Sequence, residues 1–133
     1  MICLVPVSRN LLPELCKWRP IMDVENLINS IKKRPQMYIG DLSIDRLALF
    51  ISGFLYSNRM NNRNYDMDRI FKSDIHEWTK QAIKEKEGIK FKLHMDYSYY
   101  IKEVCENGEQ EIALFFELSE QFFKEKRWID YDK

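Results

Sequence analysis

The chain has 133 residues and a formal net charge of zero at pH 7, with 21 Lys and Arg against 21 Asp and Glu. Its 45% hydrophobic and 14% aromatic content excludes an intrinsically disordered chain and predicts one globular domain with a single core. No apolar run approaches the roughly 20 residues that cross a bilayer. Three cysteines at no metal-ligand spacing indicate free, buried thiols, so we expect a cytoplasmic protein.

Residues 1–21 are predicted to form an appended arm with a short strand over 1–7 and a short helix over 11–18. Three prolines, Pro6, Pro13 and Pro20, interrupt this segment and prevent a longer element. Met22 is a candidate start of the natural protein. The expected organisation is therefore an arm over 1–21 and a helical domain over 22–133.

The first helix of that domain is predicted over 24–33, because its apolar residues recur at helical spacing and Asp23 can cap it. Pro35 ends the helix, since the residue before a proline avoids helical geometry. Residues 37–39 are then expected to be extended. Gly40 follows at a position suited to a positive φ.

A second helix is predicted from Ser43 to Asn58. Its predicted buried stripe comprises Ile44, Leu47, Phe50, Ile51, Phe54 and Leu55. Gly53 lies within this helix and suggests close approach of another element. Residues 59–68 offer no buried face and are predicted to form a loop.

The next helix is predicted over 74–87, with Asp74 and Glu77 spaced as a capping box and Gly88 closing it. Residues 89–93 alternate like a short strand, although the flanking helices could equally absorb them. Asp96 can cap a further helix, which Asn107 and Gly108 end as a turn.

The last helix is predicted over 110–127 with a wide apolar face. The predicted fold is a mainly α, single-domain bundle of about five helices, with a short strand or hairpin as an option. The apolar face of the last helix could also serve a dimer, so a monomer and a homodimer both remain open.

The run Arg34-Pro35-Gln36-Met37-Tyr38-Ile39-Gly40-Asp41 resembles a segment that precedes the nucleotide pocket in the ATP-binding domain of DNA gyrase B subunits. That resemblance implies an ATPase. The family also uses a glutamate on the next helix and a glycine-rich nucleotide loop. This chain has no glutamate between Ser43 and Arg63, and its four glycines form no Gly-x-Gly pair. A catalytically inactive relative of that module is therefore one alternative function.

A second resemblance covers more of the chain, in pieces from about Met22 to Phe123. The pieces are residues 31–40, 43–54, 75–78 and 112–123. Together they are similar to small bacterial immunity proteins encoded beside polymorphic or contact-dependent toxins. The resemblance implies an antitoxin that binds the C-terminal domain of a cognate toxin, such as a nuclease, and neutralises it sterically.

The charge distribution adds a candidate partner surface. Residues 1–95 carry 16 Lys and Arg against 11 Asp and Glu, whereas residues 96–133 carry 5 against 10. An acidic surface attracts a basic partner and speeds encounter. The candidate partner-binding residues are Tyr99, Glu103, Glu106, Glu109, Glu117 and Glu120. A solvated helix face is the alternative interpretation of the same charges.

Five residues of the Arg-Pro run are predicted to be structural: Arg34, Pro35, Met37, Tyr38 and Gly40. The ring of Tyr38 would hold the turn against the following helix. Arg34 would hydrogen-bond helix-end carbonyls or a carboxylate such as Asp41.

Enzymatic and metal-binding patterns are missing from the sequence. His76 and His94 lie on different predicted elements, and neither His-x-x-x-His nor Cys-x-x-Cys occurs. We therefore expect no enzyme activity, no cofactor and no metal. Nucleic-acid binding is a further alternative, because Arg59, Arg63, Arg69 and Lys72 could follow a phosphate backbone. The neutral net charge ranks it below protein binding.

Overall fold

Six helices and no strand make up the part of the chain that the computed structural model describes, residues 22–131. The helices are α1 Val24–Lys33, α2 Pro35–Ile39, α3 Ile44–Met60, α4 Asp66–Glu87, α5 Tyr97–Val104 and α6 Gly108–Tyr131. The predicted mainly α bundle is confirmed, with one helix more than expected. The predicted arm over 1–21 lies outside the described residues. Within 22–131, no helix is both long and apolar enough to cross a membrane.

The long C-terminal helix α6 packs against α1, α3, α4 and α5. Its buried face consists of Ile112, Phe115, Phe116, Leu118, Phe122 and Phe123. Phe71 of α4 lies against two of these rings, with centroids 5.9 Å from both Phe122 and Phe123. These six side chains are buried within the bundle and belong to its hydrophobic core.

Carboxylates from other helices cap the amino ends of α1 and α3. The Asp68 carboxylate of α4 accepts a hydrogen bond from the Val24 N–H at 2.6 Å, where α1 begins. The Glu111 carboxylate of α6 accepts one from the Ile44 N–H at 3.1 Å, where α3 begins. Each contact satisfies a backbone donor that has no partner within its own helix and places negative charge at the positive end of the helix dipole.

Most of the predicted helix ends are confirmed. Asp23 and Asp96 accept hydrogen bonds from Asn26 N and Tyr99 N, as helix caps do. Gly40 has φ +72°, and Gly88 ends α4 with φ +73°.

The prediction of an extended segment over 37–39 is wrong, because Pro35 starts the short helix α2. Proline suits the first position of a helix, where its fixed φ is already helical and its missing N–H is not needed. Two expectations for α3 are wrong as well. Phe50 is 37% exposed, and a Cβ at Gly53 would meet open space instead of another element.

The helix predicted to begin after Asp74 begins two turns earlier, at Asp66, so the predicted capping box lies inside α4. Met67 and Phe71 extend its buried stripe toward the amino end. Residues 89–93 are neither strand nor helix and connect α4 to α5. The last helix begins at Gly108, and the Asn107 side chain accepts a hydrogen bond from Gln110 N at 3.0 Å.

Candidate functional site

The Arg-Pro run lies at the surface and exposes its apolar side chains. Met37 is 73% exposed and Tyr38 is 37% exposed. On α3, Leu49 is 77% exposed and lines the same hollow as Tyr38. The Tyr38 ring meets Phe50 edge to face at 5.9 Å between centroids, and this contact holds α2 against α3 as the sequence suggested. We call Met37, Tyr38, Leu49 and Phe50 the α2–α3 surface. It borders a shallow hollow of about 310 Å³.

The arginine that supports this turn is Arg46 of α3. Its guanidinium donates a hydrogen bond to the Ile39 carbonyl at 3.2 Å and lies 4.0 Å from the Asp41 carboxylate. Arg34 was predicted to make such contacts, but its side chain is exposed and forms no hydrogen bond or ion pair with the residues described. The backbone of Arg34 links α1 to α2, since its N–H donates to Ile31 and its carbonyl accepts from Met37.

The segment between α2 and α3 packs tightly against the start of α6. A Cβ at Gly108 would overlap the carbonyl oxygen of Leu42 and lie 2.9 Å from its carbonyl carbon. Only glycine permits this approach. Beside it lies a cleft of about 490 Å³ whose lining includes Gln36, Asp41 and Glu109. The Arg-Pro run therefore borders an apolar hollow on one side and a cleft with two carboxylates on the other.

The predicted partner-binding carboxylates of the C-terminal third divide into two groups. Glu117 forms an ion pair with Lys86, and Glu120 forms one with Lys32 at 3.3 Å, so both tie α6 to neighbouring helices. Three exposed carboxylates at the end of α5, in the α5–α6 connection and at the start of α6 form no ion pair within residues 22–127: Glu103, Glu106 and Glu109. We call these three the acidic corner. Of the predicted partner-binding carboxylates, these three form no ion pair with the described residues, whereas Glu117 and Glu120 do.

Tyr99 lies next to the acidic corner and is half-buried. Its ring packs against Phe91 and Tyr100, with centroid distances of 6.2 and 5.7 Å. Burial, and then the neighbouring Glu103 carboxylate, raise the pKa of the Tyr99 hydroxyl above its ordinary value. The hydroxyl is therefore neutral at pH 7 and can donate a hydrogen bond.

Sequence reasoning missed the exposed apolar residues of α3. Leu49, Tyr56 and Met60 are 77%, 59% and 61% exposed. Their spacing of seven and then four residues places them along one side of the helix. The signal was present in the sequence, because α3 carries apolar residues on more faces than one buried stripe requires.

A separate pocket of about 300 Å³ lies between α3 and α4. Its apolar walls come from Ile51, Leu55, Phe71, Ile75 and Tyr97. Arg59, Lys72 and His76 also line it. We call it the α3–α4 pocket. Two of the four basic residues considered for nucleic-acid binding are therefore in this pocket, while Arg69 pairs with Asp66 on the surface of α4.

His76 is the only histidine lining this pocket among the described residues. Its Nδ1 accepts a hydrogen bond from the Tyr97 N–H at 3.0 Å, and its ring stacks on the Tyr97 ring at 5.4 Å. Burial lowers the pKa of His76, against an opposing effect of Asp96, so the ring is neutral at pH 7. In the neutral ring the proton is on Nε2, which is left as a hydrogen-bond donor.

Other reactive groups are sparse in the described part of the chain. No group of three or more His, Cys, Asp or Glu side chains that could hold a metal ion occurs there. Cys105 is a free thiol and is half-buried. Burial raises the pKa of Cys105, which keeps it protonated at pH 7. Cys3 and Cys16 lie outside the described residues.

Comparison of the chain with protein-family models, with curated proteins and with solved structures gave no match.

Proposed function

We propose that this chain is an immunity protein that binds the C-terminal domain of a cognate bacterial toxin and neutralises it without chemistry of its own. The observation that carries the proposal is the exposure of apolar side chains on the Arg-Pro run and on α3, where Met37 is 73% exposed and Leu49 is 77% exposed. The same run carries the resemblance to immunity proteins. If this run served only to pack the core, its large apolar side chains would be buried.

The chemistry of the α2–α3 surface fits a protein partner. Aromatic residues and methionine are enriched in protein interfaces, and a cluster of exposed apolar side chains marks an interaction surface. Methionine adds adaptability, because its unbranched side chain fills irregular gaps. Transfer of a side chain such as Leu49 from water into an interface contributes about 1.5–3 kcal/mol.

The acidic corner indicates the charge of that partner. One of its three carboxylates, Glu109, lines the cleft beside the Arg-Pro run together with Asp41, and these four carboxylates favour a basic toxin surface such as that of a nuclease. Fields of this kind mainly raise the association rate and discriminate against acidic competitors. Inhibition would be steric, because the bound chain covers the surface that the toxin presents to its substrate.

A matched pair of variants tests the proposal. Leu49→Asp places a charge on the α2–α3 surface, whereas Leu93→Asp makes the same change at a residue that is 61% exposed and remote in sequence, in the α4–α5 connection. Both side chains are mostly in water, so both variants should melt like the parent. We expect the affinity for the toxin domain to fall at least tenfold for Leu49→Asp, since about 1.5 kcal/mol or more of burial is lost.

The affinity for the toxin domain is measured by calorimetry, and protection by growth of cells that express the toxin. The Leu93→Asp variant should retain both. Equal affinity and equal protection for the two variants would refute the assignment of the α2–α3 surface. Absence of binding by the parent chain itself would refute the proposed function.

A further inference from the structure

We propose that the α3–α4 pocket is a binding site for a small amphipathic anion, an aromatic or aliphatic molecule that ends in a carboxylate. The pocket holds about 300 Å³, which is the lower end of the range for small-molecule sites. It lies on the α4 side of α3 and shares no residue with the α2–α3 surface. The inference is therefore independent of the proposed function.

The apolar residues that line the pocket favour a ligand with an apolar ring or chain. Phe71, Ile75 and Ile51 line the pocket and are at most 2% exposed, and Tyr97 of α5 also lines it. These side chains offer contact to a ring or an alkyl chain and no competing charge. Ligand sites have this composition, with mostly apolar walls and a few polar groups that fix orientation.

The basic residues that line the pocket favour an anionic group on the ligand. Arg59 follows Leu55 by four residues and so lies on the same side of α3. Lys72 lies one turn before His76 on α4. The Arg59 guanidinium carbon is 5.9 Å from the centroid of the Tyr56 ring, a cation–π contact that holds the charge beside the pocket. His76 adds a neutral N–H donor.

The two cations are not compensated by the protein. Neither Arg59 nor Lys72 forms an ion pair with any residue in the described part of the chain, and no lining residue is acidic. Asp68 lies one turn before Lys72, but its carboxylate is engaged by Val24 and Asn58. Two unpaired cations beside an apolar pocket attract a carboxylate that can make charge-assisted hydrogen bonds.

The test uses 3-phenylpropionate and its uncharged amide as probes, titrated into the full chain and followed by NMR chemical shifts and calorimetry. We expect the acid to bind with a dissociation constant of about 1 mM or below, as is reasonable for a molecule of this size. The amide should bind about tenfold more weakly, because it cannot form the charge-assisted contacts.

Two variants and a control locate the effect. The double variant Arg59→Gln/Lys72→Gln should bind acid and amide equally, within about twofold. The control Arg63→Gln/Lys84→Gln removes the same charge at exposed positions outside the pocket and should leave the tenfold preference intact. Ser52→Phe fills the mouth of the pocket and should weaken both probes.

All four side chains of the charge variants are exposed, so these proteins should fold like the parent. No binding of the acid at 10 mM, on the order of ten times the expected dissociation constant, would overturn the proposal. Equal binding of acid and amide by the parent would also overturn it, as would loss of the preference in the control variant.

Discussion

Asp68 of α4 is a buried polar residue that is hydrogen-bonded to both α1 and α3. Its carboxylate accepts hydrogen bonds from Val24 N at 2.6 Å and from the Asn58 side-chain amide at 2.9 Å. The same amide also donates to the Met22 carbonyl at 3.2 Å. Asp68 and Asn58 are 8% and 4% exposed, so neither can exchange these partners for bulk water.

Asp68→Ala should therefore destabilise the protein by about 4 kcal/mol, since a buried backbone N–H and a buried amide each lose a charged acceptor worth about 1.5–3 kcal/mol. For a chain of this size, that loss lowers the melting temperature by roughly 10–15 °C. Asp68→Asn keeps one acceptor oxygen and should cost about half as much. The free energy of unfolding is measured by urea denaturation followed by circular dichroism.

Asp66 is the matched control, because it lies in the same first turn of α4 but pairs with Arg69 in solvent. Asp66→Ala should cost less than about 1 kcal/mol. If Asp68→Ala and Asp66→Ala lowered the free energy of unfolding by the same small amount, the assignment of Asp68 as a buried cap of α1 would be refuted.

The same carboxylate makes the free energy of unfolding depend on pH, and the direction of its pKa shift fixes the sign of that dependence. Burial raises the pKa of Asp68 above its ordinary value of 3.8, against the opposing hydrogen bonds from Asn58 and Val24. Between 3.8 and the raised value, the native state binds more protons than the unfolded chain. The parent should therefore lose stability relative to Asp68→Asn as the pH rises through that window, and the difference should be constant above it.

Three further predictions concern the α2–α3 turn, the acidic corner and a buried hydroxyl. Gly108→Ala should lower the free energy of unfolding by about 1–3 kcal/mol, because its Cβ would overlap the Leu42 carbonyl. Gly53→Ala lies in open space within α3 and should raise the free energy of unfolding by about 0.5–1 kcal/mol. A higher free energy of unfolding for both variants in urea denaturation would contradict the tight packing at Gly108. Reversal of the acidic corner to three lysines should slow association with a basic toxin several-fold and weaken its salt dependence in stopped-flow measurements, and an unchanged rate would exclude steering by this corner. Tyr65→Phe removes a buried hydroxyl that has no hydrogen-bond partner among the described residues, so stability in urea should stay the same or rise by up to about 1 kcal/mol; a clear loss would show that the hydroxyl is satisfied.

Local signals predicted the helix ends that depend on single residues. The caps at Asp23 and Asp96 and the positive φ of Gly40 and Gly88 follow from side-chain chemistry within a few residues. The start of α4 was missed because no side chain caps it and its first turn is defined by packing of Met67 against the rest of the bundle. Tertiary contacts of that kind have no local signature.

The strand option over 89–93 failed for a similar reason. Ile89 and Leu93 alternate with charged residues, yet they are 41% and 61% exposed because no neighbouring strand is present in the described chain. Phe91 instead packs against Tyr100 at 4.9 Å between ring centroids. An alternating pattern predicts a strand only where a sheet exists to receive it.

The candidate sites were only partly predictable. The sequence identified the acidic corner by charge, but it could not show that Glu117 and Glu120 are tied to lysines far away in the chain. It also placed Phe50 in the core, because apolar residues surround α3 and periodicity cannot decide which side faces solvent. The α3–α4 pocket joins residues from three helices and has no sequence signal.

The most direct test of the proposed immunity function is co-purification of the tagged chain with the product of the gene adjacent to its own, together with growth of cells that express that product with and without this chain. The proposal predicts a tight one-to-one complex and restored growth. Absence of both the complex and the rescue would contradict it.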